Sequence, residues 1–174
     1  MNLESMIFPH KSRLKITAVS GWAIATEWFH DRIAHSFPHA RIKVIYPRYP
    51  GSPDEAKELL SGQTSDLYIG YSLGSLWLLH HRLYLPQSAT KALLAPILAF
   101  TKEHDLGGKT TITQLKYLVK LLKSSSGETN ALMDFYTRCN FKLPESWKDN
   151  IPDHQTLVRG LEFLGNTVVP AASA

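Results

Sequence analysis

Gly70-Tyr71-Ser72-Leu73-Gly74 follows the apolar run Leu67-Tyr68-Ile69 and opens a segment striped with Leu76, Trp77, Leu79, His80 and Leu83. The run reads as a buried strand and the stripe as a helix, so Ser72 sits at the apex of a sharp strand-to-helix turn. Gly70 and Gly74, two positions either side, leave room where a Cβ would clash with strand or helix. The turn lifts the serine hydroxyl out of the sheet. The helix that starts beneath it offers free N–H groups and the positive end of its dipole to a developing oxyanion. That arrangement suits acyl transfer through a serine nucleophile. The bland alternative is a glycine-rich turn carrying an ordinary serine.

Upstream, Leu14 to Ser20 alternates and is β-branched, which predicts a first strand broken by Gly21. Thr26 reads as an N-cap, with Trp28, Phe29, Ile33 and Phe37 on one helical face and Pro38 as the stop. Ile42 to Tyr46 predicts a second strand. Pro47, Pro50, Gly51 and Pro53 then make a stiff loop, and Pro53 to Leu60 a short helix with acids in its first turn. Leu67 to Tyr71 is the third strand, Gly74 to Tyr84 the following helix, and Lys91 to Ala95 the fourth strand, closed by Pro96. Short apolar strands alternating with helices imply a parallel sheet covered on both faces, with right-handed crossovers and ligands at the carboxyl ends of the strands.

From Ile97 onward the pattern is helical. Thr111–Leu122, Asn130–Cys139 and Asp153–Leu164 carry apolar residues at helical spacing, with Asp153 as an N-cap. Ser124 to Gly127 reads as a loop. The expected organisation is an α/β core over residues 1–96, a helical lid over 97–160, and the start of a C-terminal core segment or tail over 161–174. The helices either cover the site as a lid or simply complete the core.

The 174 residues suffice for one domain with a real core, and 44% hydrophobic with 20% charged residues is a globular composition. The net charge of +4 comes from scattered basic residues, which argues against nucleic-acid binding. Lys116, Lys120 and Lys123 lie at helical spacing, either as a solvated face or as a docking patch for an acidic carrier or phosphate-bearing substrate. The single cysteine, Cys139, excludes an internal disulfide and suits a reducing, cytoplasmic setting. Neither a membrane-spanning run nor a signal-peptide pattern is evident. No histidine pair has metal-ligand context, and no cofactor is implied.

The order of these motifs resembles the α/β-hydrolase superfamily: Ser20-Gly21-Trp22 after the first strand, Tyr49-Pro50-Gly51 after the second, and the Ser72 turn after the third. Trp28 and Gly160-Leu161-Glu162-Phe163-Leu164 are similar to the branch containing the pimeloyl-[acyl carrier protein] methyl ester esterases of biotin synthesis. The resemblance implies a carboxylic-ester hydrolase, an esterase or thioesterase on a small acyl ester or acyl-carrier substrate. It implies Ser72 as nucleophile and the N–H groups of Leu73 and Trp22 as the oxyanion hole. The Trp22 side chain would either line an acyl pocket, with Leu73, Leu118 and Phe135, or serve as a core aromatic.

The sequence departs from that family in three places. Ser20-Gly21 stands where His-Gly is frequent, and the loop from Pro47 to Pro53 is shorter and stiffer than the family's. The third departure concerns the triad. Gly165-Asn166-Thr167-Val168-Val169-Pro170 resembles the family's acid loop with Asn166 in place of Asp; in a second register Gly160 to Leu164 belongs to the last lid helix. In both, the final strands and the catalytic His are expected to be missing. Of the other histidines, His80 and His81 are expected to point away from Ser72, His30, His35 and His39 to belong with the first helix, and His104 and His154 to lie in the lid. His10 has no clear place. The incomplete sheet is expected to leave an open edge that could pair with a second copy. A non-catalytic acyl-binding relative, or a truncated one, is the competing reading.

Overall fold

The computed structural model describes residues 13–61, 64–124, 127–141 and 150–170. His10 and part of the expected Ser124–Gly127 loop lie outside them. Four short strands, β1 (Lys15–Val19), β2 (Arg41–Ile45), β3 (Leu67–Tyr71) and β4 (Thr90–Leu94), form an all-parallel sheet in the order β2-β1-β3-β4. The chain crosses from β1 to β2 through α1 (Thr26–Ser36), from β2 to β3 through α2 (Pro53–Leu60), and from β3 to β4 through α3 (Leu73–His80). The first crossover moves one way along the sheet and the other two move the opposite way. Right-handed connections therefore put α1 on one face and α2 with α3 on the other. The direction reverses between β1 and β3, which opens a crevice at their carboxyl ends.

Local chemistry sets the element ends. Pro38 forces Phe37 out of helical geometry (φ −131°, ψ 66°), so α1 stops at Ser36. The cap of α1 is Ala25 rather than the expected Thr26. Thr26 is already helical, and its hydroxyl donates to the Glu27 carboxylate at 3.1 Å. Ser52 caps α2 by accepting the Glu55 N–H, and the Glu55 carboxylate reaches back to the N–H groups of Arg48 and Tyr49, each at 2.8 Å. That bracing, with its prolines, stiffens the loop after β2.

Leu73 through Leu79 are all buried, so α3 is apolar on every side and lies within the core. It is shorter than the expected Gly74–Tyr84 helix. It ends at His80, and a 3-10 turn follows over Arg82–Tyr84. The helical register breaks before Leu83, which is 87% exposed instead of joining the stripe.

Beyond β4 come α4 (Ile112–Leu122), α5 (Glu128–Arg138) and α6 (His154–Asn166). A reciprocal capping box between Thr111 and Gln114 starts α4, and the Asp153 carboxylate starts α6 by accepting the N–H and hydroxyl of Thr156. Lys116, Lys120 and Lys123 are exposed, and Lys123 pairs with Glu162 at 3.2 Å. The division expected between residues 160 and 161 falls inside α6. Leu157, Leu161 and Leu164 form one buried stripe that runs through it, so the helix is a single packing unit. After α6 the described residues form an isolated antiparallel bridge, Ala99 with Val168, and Val169 N–H donates to the Leu98 carbonyl at 2.8 Å. Among the described residues β4 is an edge strand, and Leu94 on it is 46% exposed. No described helix is long and apolar enough to cross a membrane.

The tightest approach in the fold lies between α3 and β1. A Cβ on Gly74 would stand 2.1 Å from the Val19 carbonyl oxygen, and one on Gly70 would stand 2.7 Å from the Gly74 oxygen. Both obstacles are backbone. Gly74→Ala is therefore expected to destabilise the fold by about 3 kcal/mol or more, since neither element can give way locally. Gly51→Ala, whose new methyl would meet only Phe163 at 3.9 Å, is the control. Urea unfolding of the two variants checks this; equal midpoints would refute the close-packing account.

Candidate functional site

Ser72 lies between β3 and α3 with φ 52° and ψ −108°. A non-glycine residue held there carries roughly 1–3 kcal/mol of backbone strain, which persists only where the surroundings over-determine it. Here they do. The Ser72 N–H donates to the Leu94 carbonyl at 2.9 Å, tying the apex to the end of β4. The buried Ser75 hydroxyl bridges the Gly70 and Leu94 carbonyls at 2.8 and 2.9 Å, and the Ser72 carbonyl accepts the N–H groups of Ser75 and Leu76. The Ser72 side chain is half-buried, and among the described residues nothing hydrogen-bonds to its hydroxyl.

The chain leaving β1 runs beside this turn, because Val19 and Gly70 are partners in the ladder. It makes a tight turn over Gly21–Ile24, closed by the Ile24 N–H on the Gly21 carbonyl at 3.1 Å. Ala23 takes the left-handed position of that turn with φ 58°. In a trans peptide the N–H and C=O point opposite ways, so the Trp22 N–H is directed out of the turn. Neither it nor the Leu73 N–H meets an acceptor among the described residues. Both residues touch the same spot on α6: a Cβ on Gly160 would meet Trp22 Cδ1 at 2.8 Å and Leu73 Cδ1 at 3.4 Å. The turn after β1 and the Ser72 turn thus both lie at the carboxyl ends of β1 and β3, and the side chains of Trp22 and Leu73 both press on α6 at Gly160.

The Trp22 side chain is a core aromatic. It is buried, donates from Nε1 to the Leu157 carbonyl at 2.8 Å, and stands edge-on to Phe135 with ring centres 4.7 Å apart. Leu118 and Phe135 are half-buried under the helices. Trp28 packs on Phe141 at 5.0 Å.

The described histidines stand elsewhere. His30, His35, His39 and His104 are exposed, and His154 faces the Glu128 carboxylate at 3.3 Å. His80 stacks on Phe163 at the far end of α3. Asn166 is the exposed last residue of α6, on an open cleft of about 340 Å³ shared with Tyr49, Ser52 and Arg159. It lies on a helix rather than on a loop following a strand. Among the described residues no cluster of His, Cys, Asp or Glu could hold a metal ion.

Sequence reasoning gave no role to the phenols of Tyr46 and Tyr136 and no buried partner to His81. The buried His81 ring shares a hydrogen bond between Nε2 and the Pro50 carbonyl at 2.8 Å and packs on Trp77. Tyr46 and Tyr136 both meet the backbone of Ala23. Burial raises the pKa of each phenol, so both stay protonated near neutrality. Their partners lie 23 and 113 residues away, beyond any local pattern.

No protein-family model matches the chain, and no curated protein matches it.

The stability of the fold is coupled to pH through His81. Burial lowers its pKa from 6.5; the Pro50 hydrogen bond opposes the shift and neighbouring His80 adds to it. The unfolded chain therefore binds the proton at higher pH than the folded one. This contribution to stability is complete above about pH 6.5 and is lost as pH falls through 6.5 toward the lower folded value. His81→Gln should flatten the fall in urea midpoint between pH 7 and pH 5. An unchanged slope would remove His81 as its source.

Proposed function

We propose that the chain is a serine hydrolase of the carboxylic-ester class, an esterase or thioesterase acting on an acyl substrate. The observation that carries this reading is the positive φ of Ser72 at a strand-to-helix apex. Strain of this kind clusters at reactive positions, and here it presents a hydroxyl beside unmatched N–H donors. The helices α4 to α6 would act as the lid. The likeness to the pimeloyl-carrier methyl ester esterases suggests a linear acyl chain as substrate.

In the proposed reaction the Ser72 Oγ forms a bond to the acyl carbonyl carbon while the carbonyl electron pair moves onto oxygen. The Leu73 and Trp22 N–H groups receive that oxyanion. Its collapse breaks the bond to the alcohol or thiol, which leaves with a proton, and water then releases the acid. The serine proton must go to water or to a group outside the described residues, because no described histidine stands at Ser72. An oxyanion hole with binding, but without a base, retains roughly 10³–10⁴-fold acceleration over water. Slow turnover with a reactive seat is the expected behaviour.

A binding module is the second reading, favoured by a Ser72 hydroxyl that has no hydrogen-bond partner among the described residues. Fluorophosphonate labelling separates the two. The folded protein should label slowly and stoichiometrically at Ser72, and Ser72→Ala should abolish it. Absence of labelling on folded protein, or labelling that survives the substitution, would favour the binding module.

A further inference from the structure

The turn that carries the Trp22 N–H is held from several sides, by the α/β layer and by the helices packed above it. Ala23 donates its N–H to the Tyr46 hydroxyl at 3.2 Å, and its carbonyl accepts the Tyr136 hydroxyl in a buried contact. Tyr46 follows β2, within the α/β layer, whereas Tyr136 belongs to α5. On the preceding residue, the Trp22 indole donates to Leu157 on α6. The Ser20 hydroxyl closes the base of the turn on the Ile24 carbonyl at 2.9 Å. Ala23 is itself strained at φ 58°. Freed from these contacts, an alanine there relaxes to negative φ, and the flanking peptides rotate with it.

We infer that Tyr136 is a positioning residue for the oxyanion hole, so that docking of α5 and α6 on the sheet and correct aim of the Trp22 N–H are one event. The inference rests on the serine-hydrolase reading and adds to it a means of control. With the helices seated, the phenol of Tyr136 and the carbonyl of Leu157 lock the turn. With them lifted, the strained turn relaxes and the donor swings away. Ser72 itself is untouched, because its restraints run to Leu94, Gly70 and Ser75 in the sheet and α3. The nucleophile seat is therefore permanent, and the oxyanion hole depends on the helical layer.

Hydrolysis of p-nitrophenyl butyrate by the full chain tests this. Tyr136→Phe keeps the ring and removes only the hydroxyl. It should lower kcat by about ten- to a hundredfold, less than outright loss of a donor, while KM stays within about twofold. Fluorophosphonate labelling of Ser72 should slow in parallel. A merely structural role would instead lower the thermal midpoint and leave kcat of the folded fraction unchanged, and that result overturns the inference. Should Tyr136→Phe fail to fold, Tyr46→Phe loosens the same residue from the other side and must show the same kcat-selective loss; full kcat there overturns the inference equally. If wild-type protein neither turns over nor labels, the hydrolase reading fails and this inference falls with it. Active wild-type beside a fully active Tyr136→Phe sinks the inference alone.

Discussion

The structure depends on one close approach: the first turn of α3 lies directly against the carbonyl at the end of β1, with no side chain between them. Gly74 makes the contact and Gly70 clears the return path. Any Cβ would push α3 outward. The apex would then rise with it, the Ser72 N–H would lose Leu94, and Ser75 could no longer bridge two strand ends. The strain at Ser72 is tolerable because these bonds are made together. Helix, sheet and Ser72 turn are therefore one cooperative unit.

That unit was legible in the sequence because its constraints are local. A strand of five residues, two glycines at fixed offsets and a run of buried leucines all sit within fifteen positions of Ser72. The spans of β3 and α2 follow directly from their apolar runs and from Ser52-Pro53 at the helix start. Misreadings came where tertiary contact outweighed pattern. His81 turns inward to the Pro50 carbonyl, 31 residues away, and α3 ends one residue before it. Thr26 has the right chemistry for a cap, but its hydroxyl meets Glu27 and the backbone turns helical a residue early. The division between residues 160 and 161 falls inside a helix, where Gly160 leaves room for Trp22 and Leu73 to press against α6.

The candidate site was half legible for the same reason. Ser72 and the glycines beside it announce themselves. What holds the Trp22 turn does not, since Tyr136 looks like any aromatic on an amphipathic helix and Tyr46 like the end of a strand. Neither carries a spacing signal, and only folding brings both phenols to the backbone of one alanine. The indole of Trp22 shows the converse. Its place after the first strand left both a pocket wall and a core aromatic open; a buried N–H needs an acceptor, and it finds one in the Leu157 carbonyl on α6. The side chain became a tie between layers.

These ties explain why two strained residues, Ser72 and Ala23, have different energetic dependence. Ser72 is restrained by backbone carbonyls of its own sheet, which cannot leave without unfolding the core. Ala23 is restrained partly by phenol and indole groups whose partners sit in another layer. Local opening of a helical layer costs less free energy than global unfolding, because fewer buried contacts are broken. A population of molecules with the helices lifted thus keeps its serine turn intact while its first turn relaxes. The two donors of the proposed oxyanion hole would then be supplied by parts of the molecule with unequal stability. On the proposed hydrolase reading, the less stable part would set how often the pair is complete, so the packing of α5 and α6 would govern the site although the restraints on Ser72 lie in the sheet and α3.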